Sequence, residues 1–306
     1  MRLVLDARTA SFAALIDYAG LFPPASHDMA GAVEGYRAAR SSEASWVAGR
    51  FLCPASRLIE LAGELTRSIL PGEDPWEIAV ILDEELGASA SVAQSFHTEM
   101  QPAAVIASAE TKIAIPTRDG VDATIDAVLS IQPEVVPFLE VARSASIQGQ
   151  VSSIASALAE RTRVGGAKLR CGGLTADMFP TSEEVTEFIT SATDVRMPFK
   201  ATAGLHRPLR HFDHDLDVWL HGFVNLLFAS AAAAAGEDRT TVQAIIAETI
   251  PGAFAIGPAF ATWREITITG SAIRRVRTSG FVAYGSCDFD EPIEALTELT
   301  FLGEGS

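Results

Sequence analysis

The sequence has few cysteines, few basic residues and no long uninterrupted hydrophobic run. Its three widely spaced cysteines (Cys53, Cys171 and Cys287) form neither a disulfide framework nor a Cys-x-x-Cys metal clasp. They indicate reduced thiols in a cytoplasmic protein. The 23 basic residues against 39 acidic ones give a formal net charge of −16. Because so acidic a surface repels phosphate backbones and anionic lipids, the composition argues against nucleic-acid binding and membrane association.

The longest apolar stretch covers residues 218–235 and is interrupted by a histidine, a glycine and an asparagine. It predicts a buried or interface helix rather than a membrane span, and its apolar character favours a homo-oligomer. At the start of the chain, Asp6 and Arg8 break the first apolar run, so we predict no secretory signal. Apolar residues make up 48% of the sequence, which is enough to build a full core.

Short apolar runs alternate with longer helical patterns along most of the chain. The runs predict strands at residues 46–52, 77–82, 103–107, 134–141, 166–171, 198–202 and 280–285. Because these runs are almost continuously apolar, they are typical of strands buried on both faces of a parallel sheet. The helical patterns between them cover residues 54–68, 88–100, 120–131, 148–161 and 181–192.

The spacing of these units predicts the fold. One strand and one helix take about 30 residues, and no glycine-rich dinucleotide loop follows the first strand. We therefore predict a single (β/α)8 TIM-like barrel domain over residues 1–306, with a flavodoxin-like open sheet as the alternative. The eighth strand is sought among residues 112–115, 223–228 and 253–256. Two segments depart from the alternation: an N-terminal helical extension (1–45) and a helical insertion or lid (205–279).

Charged residues lie near the C-terminal ends of the predicted strands, where the chemistry of a parallel barrel collects. Glu140 ends one strand, Lys168 and Arg170 share a face of the next, and Lys200 and Thr202 share a face of the one after. Two neighbouring cations in an apolar site would lower the pKa of one amine and give a nucleophile for a Schiff base. The alternative is a structural Glu140–Lys168 ion pair, with Lys200 extending to solvent.

These strands carry a resemblance to a known family. A strand ending in Leu139-Glu140, a strand with Lys168 and a strand with Lys200 before Ala-Thr-Ala-Gly together resemble deoxyribose-phosphate aldolase and its class I aldolase relatives. Those barrels carry a Schiff-base lysine in Lys-Thr-Ser-Thr-Gly and a second lysine in Lys-Ala-Ser-Gly-Gly. The resemblance covers residues 134–204 and the Gly285 turn, about a third of the chain. The strings KLRCGG, FKATAGLH and GSCDFDEP also resemble a bacterial family of unassigned activity.

The resemblance implies roles for particular residues. Lys168 would form the Schiff base and Lys200 would assist it. Gly285 and Ser286 would stand where that family has a Gly-Thr-Ser phosphate loop.

Four of the six histidines fall between residues 206 and 221, among several aspartates. Imidazoles and carboxylates are common metal ligands, so a metal-assisted hydrolase or isomerase is an alternative function. The spacing matches no established motif, however, and we assign no metal and no cofactor. His206 closely follows the Lys200 strand, which predicts a position at the barrel mouth as proton shuttle or substrate ligand.

Together these residues predict a cytoplasmic lyase of class I aldolase type that acts on a small anionic carbonyl compound. Glu140 would be the acid/base beside the two lysines. We expect the substrate to be anionic because Arg170 and the two lysines bring positive charge together in a protein whose net charge is strongly negative. The expected substrate ligands are Arg170, Thr202, Gly285 and Ser286. A non-catalytic barrel that binds a small anion is a further alternative.

Overall fold

The computed structural model describes residues 6–302, except residues 69, 114 and 144, and its helices and strands are numbered here in chain order. Eight parallel strands form a closed barrel: β1 (Ile16–Tyr18), β2 (Ala48–Pro54), β3 (Trp76–Ile81), β4 (Ala104–Lys112), β5 (Val136–Glu140), β6 (Gly166–Arg170), β7 (Phe199–Thr202) and β13 (Phe281–Ser286). Each strand pairs with the next in that order, and β13 pairs with β1. The prediction of a (β/α)8 TIM-like barrel is therefore confirmed.

All seven predicted strands are present, and the eighth is β1. None of the three segments considered for it is correct. Lys112 ends β4, residues 223–228 are helical, and residues 254–256 belong to a small separate sheet. The description of residues 1–45 as an extension is wrong for β1, which pairs with both β2 and β13 inside the barrel. Two helices flank this strand in sequence, α1 (Ala7–Phe12) and α2 (Met29–Ser41).

The five predicted helices follow their strands and cover the outside of the barrel. They are α3 (Leu58–Ser68), α4 (Leu86–Met100), α5 (Arg118–Leu129), α6 (Ile147–Glu160) and α7 (Ser182–Asp194). Local sequence fixes where α7 begins. The Thr181 hydroxyl accepts a hydrogen bond from the Glu184 amide, and the Glu184 carboxylate accepts one from the Thr181 amide. This reciprocal cap satisfies two amides that the helix itself leaves unbonded.

The segment between β7 and β13 contains three helices and two small antiparallel sheets. Its elements are the hairpin β8 (His211–Asp213) and β9 (Val218–Leu220), the helices α8 (Phe223–Ala235) and α9 (Arg239–Ala247), the sheet β10 (Phe254–Ile256), β11 (Phe260–Trp263) and β12 (Ile266–Thr269), and the helix α10 (Gly270–Ser279). A last helix, α11 (Asp290–Glu298), follows β13. The expected insertion is therefore a mixed α and β segment.

The apolar stretch at 218–235 begins with β9 and continues as α8, which packs against α7, α9, α10 and β13. The side chains from Phe223 to Ala232 are all buried within this one chain. The buried-helix prediction is correct. Because the chain itself covers this helix, however, its apolar character is no longer a reason to expect self-association, and the homo-oligomer stays a prediction. Among the described residues, no helix is long and apolar enough to cross a membrane.

The inside of the barrel contains several buried charged side chains, where such barrels usually carry layers of branched aliphatic residues. The alternation on β7 shows how this arises. The Phe199 ring packs edge-on against Phe188 of α7, with ring centroids 5.1 Å apart, so it faces the helix layer. Its neighbour Lys200 therefore faces the barrel interior, and it is only 2% exposed.

Candidate active site

Six charged side chains from five strands meet inside the barrel, and we call them the ion network. In order of contact they are Asp17 of β1, Lys200 of β7, Glu110 of β4, Lys168 of β6, Glu140 of β5 and Arg170 of β6. Acidic and basic groups alternate along this chain of contacts. The closed barrel brings them together because its strands surround one interior into which these side chains project, and β6 contributes both Lys168 and Arg170.

The two lysines share one carboxylate. Lys168 Nζ lies 3.1 Å from Glu110 Oε2 and 3.1 Å from Glu140 Oε2. Lys200 Nζ contacts the other Glu110 oxygen and Asp17 Oδ2. The Cα atoms of the two lysines are direct partners across β6 and β7. Lys168 is 4% exposed, so the structure places neither lysine in bulk solvent, and Lys200 does not extend outward as one alternative supposed.

Burial and charge act in opposite directions on these carboxylates. Burial raises the pKa of Glu110, but the ammonium groups of Lys200 and Lys168 outweigh it and lower that pKa to about 2. Burial likewise raises the pKa of Glu140, whereas Lys168 and Arg170 shift it below the ordinary value. Both carboxylates are therefore ionised near neutral pH and can accept a proton.

Lys200 is held in its charged form. Burial lowers the pKa of Lys200, but Asp17 and Glu110 raise it above the ordinary value of a lysine. Lys200 is therefore not the amine whose pKa is depressed, and its predicted role as the charged neighbour of Lys168 stays a prediction. Lys200 supplies a lasting positive charge to the network.

Asp17 is fixed by the strand beside it. Its Oδ1 accepts a hydrogen bond of 2.7 Å from the Arg50 amide of β2. A Cβ atom added to Gly49 would lie 2.4 Å from the same oxygen, which is closer than two such atoms can approach. Glycine at position 49 therefore leaves the space that the Asp17 carboxylate occupies.

Three of the predicted substrate ligands lie side by side at the C-terminal end of the barrel. Thr202 pairs with Arg170 on one side and with Gly285 on the other. The Arg170 side chain is 36% exposed, and its Nε lies 3.4 Å from Glu140 Oε1. The fourth, Ser286, is buried, and its hydroxyl donates a 2.5 Å hydrogen bond to the Asp288 carbonyl. The Ser286 hydroxyl therefore already donates its proton to the main chain of its own turn.

His206 lies apart from the ion network. Its Nδ1 is 3.6 Å from a carboxylate oxygen of Glu291, at the start of α11. The structure also separates the other histidines in its segment. His211 bonds the Leu209 carbonyl, and the buried His221 donates to the Pro180 carbonyl. Within the described ranges, no group of three or more histidines, cysteines, aspartates or glutamates is placed to hold a metal ion.

Two central members of the network, Asp17 and Glu110, were not predicted from the sequence as site residues. The predicted strand ends at residue 107, whereas β4 continues to Lys112 and contains Glu110. A period-two signal is present there, because polar Ser108, Glu110 and Lys112 alternate with Ala109 and Thr111. Asp17 lies in a strand of three residues, which is too short to produce such a pattern.

The chain has only three lysines, at positions 112, 168 and 200, and all three lie on barrel strands. Comparison of the chain with models of protein families finds no match, and neither does comparison with curated proteins. Fold and site together define a (β/α)8 barrel with a buried network of lysines and carboxylates. This scaffold is compatible with an enzyme of the aldolase type.

Proposed function

We propose that this chain is a lyase of class I aldolase type, in which Lys168 forms a Schiff base with a small anionic carbonyl compound. One observation carries the proposal. Lys168 Nζ lies 3.1 Å from each of two carboxylates that are ionised near neutral pH, beside a second, permanently charged ammonium group. An amine nucleophile needs proton acceptors at this distance, since only the neutral amine attacks a carbonyl.

Lys168 is a better candidate for the nucleophile than Lys200. Lys200 is bonded by two carboxylates, and its pKa is raised, so it keeps its proton. Lys168 is joined through Glu140 to the partly exposed Arg170 at the C-terminal end of the barrel. This is the end at which barrels of this class bind their substrates.

Imine formation begins with a proton transfer from Lys168 to Glu140. The nitrogen lone pair then forms a bond to the substrate carbonyl carbon, and the electrons of the C=O double bond move to its oxygen. That oxygen takes up protons and leaves as water, which gives a protonated imine. Lys200 stays charged within the network during these steps, and the partly exposed Arg170 holds the anionic group of the substrate.

The protonated imine is the electron acceptor for carbon–carbon cleavage. A carboxylate removes the proton of the substrate's β-hydroxyl group, a second carbonyl group forms there, and the electrons of the broken bond move to the imine nitrogen. The enamine that results takes a proton on carbon, and water then hydrolyses the imine and frees Lys168. No external oxidant or reductant is required, because the overall reaction is redox-neutral.

The anionic group of the substrate is expected at the C-terminal mouth. Arg170 provides a partly exposed guanidinium group there, and Thr202 and Gly285 line the adjoining strands. The resemblance to deoxyribose-phosphate aldolases supports the same position, because it places a phosphate loop at Gly285 and Ser286. We therefore expect substrates that carry a phosphate or a carboxylate near the carbonyl group.

Reductive trapping tests the proposal directly. The protein is incubated with acetaldehyde, pyruvate or dihydroxyacetone phosphate in the presence of borohydride, and intact mass and peptide mapping locate any adduct. We expect an adduct on Lys168 with at least one of these compounds. Because the chain has only three lysines, the mapping leaves little ambiguity.

Two matched variants provide the control. Lys168→Arg keeps the positive charge between Glu110 and Glu140 but cannot form an imine, so the adduct should disappear. Lys112→Arg makes the same change at the exposed end of β4 and should leave the adduct unchanged. The absence of any adduct on the wild-type protein, or an adduct that persists in Lys168→Arg, would contradict the proposal.

A further inference from the structure

A cavity of about 470 Å³ opens at the N-terminal end of the barrel, opposite the mouth. The residues that line it precede the barrel strands or lie in their first half. They are Ala13, Ala14, Asp17, Tyr36, Arg40, Ser45, Ala48, Gly49, Arg50, Pro75, Glu77, Lys200, Arg277, Val282 and Ala283. A cavity of this volume falls in the range of sites that bind small molecules.

The lining carries more positive than negative charge. Its cations are three arginines and Lys200, and its anions are Asp17 and Glu77. Arg50 pairs with Glu77 at 3.2 Å, and Lys200 contacts Asp17. Both carboxylates thus already have a salt-bridge partner, and neither Arg40 nor Arg277 forms a salt bridge with a carboxylate of the lining.

Arg277 bonds only to main-chain oxygens among the residues that the structure describes. Its Nη1 donates to the carbonyls of Phe281 and Val282, and its Nη2 donates to that of Ala13. Its Nε is buried and has no acceptor in the described chain. Burial lowers the pKa of Arg277 to about 10 against an opposing effect of the Asp17 carboxylate, so the guanidinium group is still charged at neutral pH. Asp17 makes its salt bridge with Lys200 and not with Arg277.

Arg40 is in a similar position. Its Nη2 donates a 2.9 Å hydrogen bond to the Asp74 carbonyl, and its guanidinium lies over the Tyr36 ring, 5.7 Å from the centroid. Its Nη1 is buried and lacks an acceptor among residues 6–302 as described. A buried N–H group of a charged side chain that makes no hydrogen bond is costly, so an acceptor from outside the protein would stabilise it.

We propose that this cavity binds a small dianion of the phosphate class between Arg40 and Arg277. The lining has two more basic than acidic residues, and a dianion would compensate this excess of positive charge. Arginine is the side chain best suited to phosphate oxygens. In a chain with a net charge of −16, such a positive pocket concentrates anions against the overall field. The inference goes beyond the proposed lyase activity and does not depend on it, since neither arginine belongs to the ion network.

Titration calorimetry with inorganic phosphate tests the site, in buffers whose ionic strength is matched with sodium chloride. The test variant is Ser45→Glu, which places a carboxylate at the partly exposed Ser45 in the lining and leaves both arginines in place. The matched control is Ser91→Glu, the same change on the exposed face of α4, outside the lining. We expect the wild type and Ser91→Glu to bind phosphate equally and Ser45→Glu to bind it at least tenfold more weakly.

A second variant, Arg40→Gln, removes one of the two charges and should weaken phosphate binding to a similar degree. Thermal unfolding without phosphate verifies that each variant is folded. Absence of phosphate binding by the wild type at millimolar concentration would overturn the proposal, and so would unchanged binding by Ser45→Glu. Either result would leave imine trapping on Lys168 unaffected, so the two proposals can fail separately.

Discussion

The ion network and the N-terminal cavity differ in how their positive charges are balanced. In the ion network every cation contacts a carboxylate and every carboxylate contacts a cation, from Asp17 to Arg170. At the N-terminal cavity, Arg40 and Arg277 bond to main-chain carbonyls. The first arrangement is electrically complete within the protein, whereas the second has positive charge left over. A balanced network is suited to moving protons between its members, and an unbalanced one is suited to holding an ion.

The balance of the network does not by itself stabilise the fold. Placing charges in a barrel interior costs desolvation free energy, and contacts between them recover much of it. Removing one member leaves its partners buried and unpaired, which is strongly unfavourable. Substitutions in the network should therefore affect stability far more than substitutions of surface pairs.

The largest effect is expected for Glu110→Gln. Glu110 is 1% exposed and contacts both lysines, so its neutral replacement leaves two buried ammonium groups with less compensation. We expect the free energy of unfolding to fall by about 3 to 5 kcal/mol, measured by urea denaturation.

The control for this prediction is Glu60→Gln, which removes an exposed partner of Arg57 in an i,i+3 pair. That change should cost less than about 0.5 kcal/mol. Equal costs for the two variants would show that the network is not the buried, balanced set described above.

The second prediction concerns acid. Glu110 has a pKa of about 2 in the folded protein and an ordinary value near 4.3 when unfolded, so the unfolded state binds the proton more readily. Its stabilising contribution is complete above the unfolded value and is lost as the pH falls towards 2. This loss is on the order of 3 kcal/mol.

Urea denaturation at several pH values measures this dependence. As the pH falls from about 5 towards 2, the stability of the wild type should fall more steeply than that of Glu110→Gln, because the variant lacks the titrating carboxyl group. His221 titrates in both proteins, since burial lowers its pKa to about 4, and the comparison cancels its contribution. Parallel curves would argue against a depressed Glu110 pKa.

The smallest effect distinguishes two glycines on either side of Asp17. Gly49→Ala would place a Cβ atom 2.4 Å from Asp17 Oδ1 on the side of the cavity. Displacing that carboxylate should cost about 1 to 3 kcal/mol, as overpacking usually does. At Gly285, whose Cα pairs with that of Asp17, an added Cβ would lie 3.7 Å from its nearest neighbours. Gly285→Ala should therefore change the stability by less than about 1 kcal/mol.

Thermal and urea unfolding of both glycine variants provide the measurement. If Gly49→Ala leaves the free energy of unfolding unchanged, the Asp17 carboxylate can move, and its contact with the ion network is less tightly constrained than described. If Gly285→Ala lowers the free energy of unfolding more than Gly49→Ala does, the barrel is packed more tightly at the mouth than at the cavity.

Much of the fold could be predicted from the sequence, because continuous apolar runs mark strands that are buried on both faces. The seven strands found in this way include the ones that carry Glu140, Lys168 and Lys200. The apolar pattern does not reveal β1, because this strand has only three residues and the central one, Asp17, interrupts the apolar residues on either side. The strands that carry Lys168 and Lys200 also contain an inward-facing charge, but their apolar runs are long enough to be recognised.

A break in the apolar pattern also explains why Glu110 was not predicted as a site residue. Glu110 lies in a stretch of β4 where polar and small residues alternate, so a search for apolar runs ends the strand too early. The pairing of Lys168 with two acids depends on which strands are neighbours after closure. That information is in the topology and not in the local pattern.

The position of β1 between β2 and β13 has a consequence for how the protein reaches its native state. Ile16 pairs with Tyr284, near the opposite end of the chain, so the barrel cannot close until the last strand has been synthesised. Contacts this distant in sequence form slowly because a very long loop must be ordered first. Until then Lys200 has no Asp17 beside it and keeps its ammonium group in water. We therefore expect assembly of the charged interior to coincide with the final, cooperative step of folding.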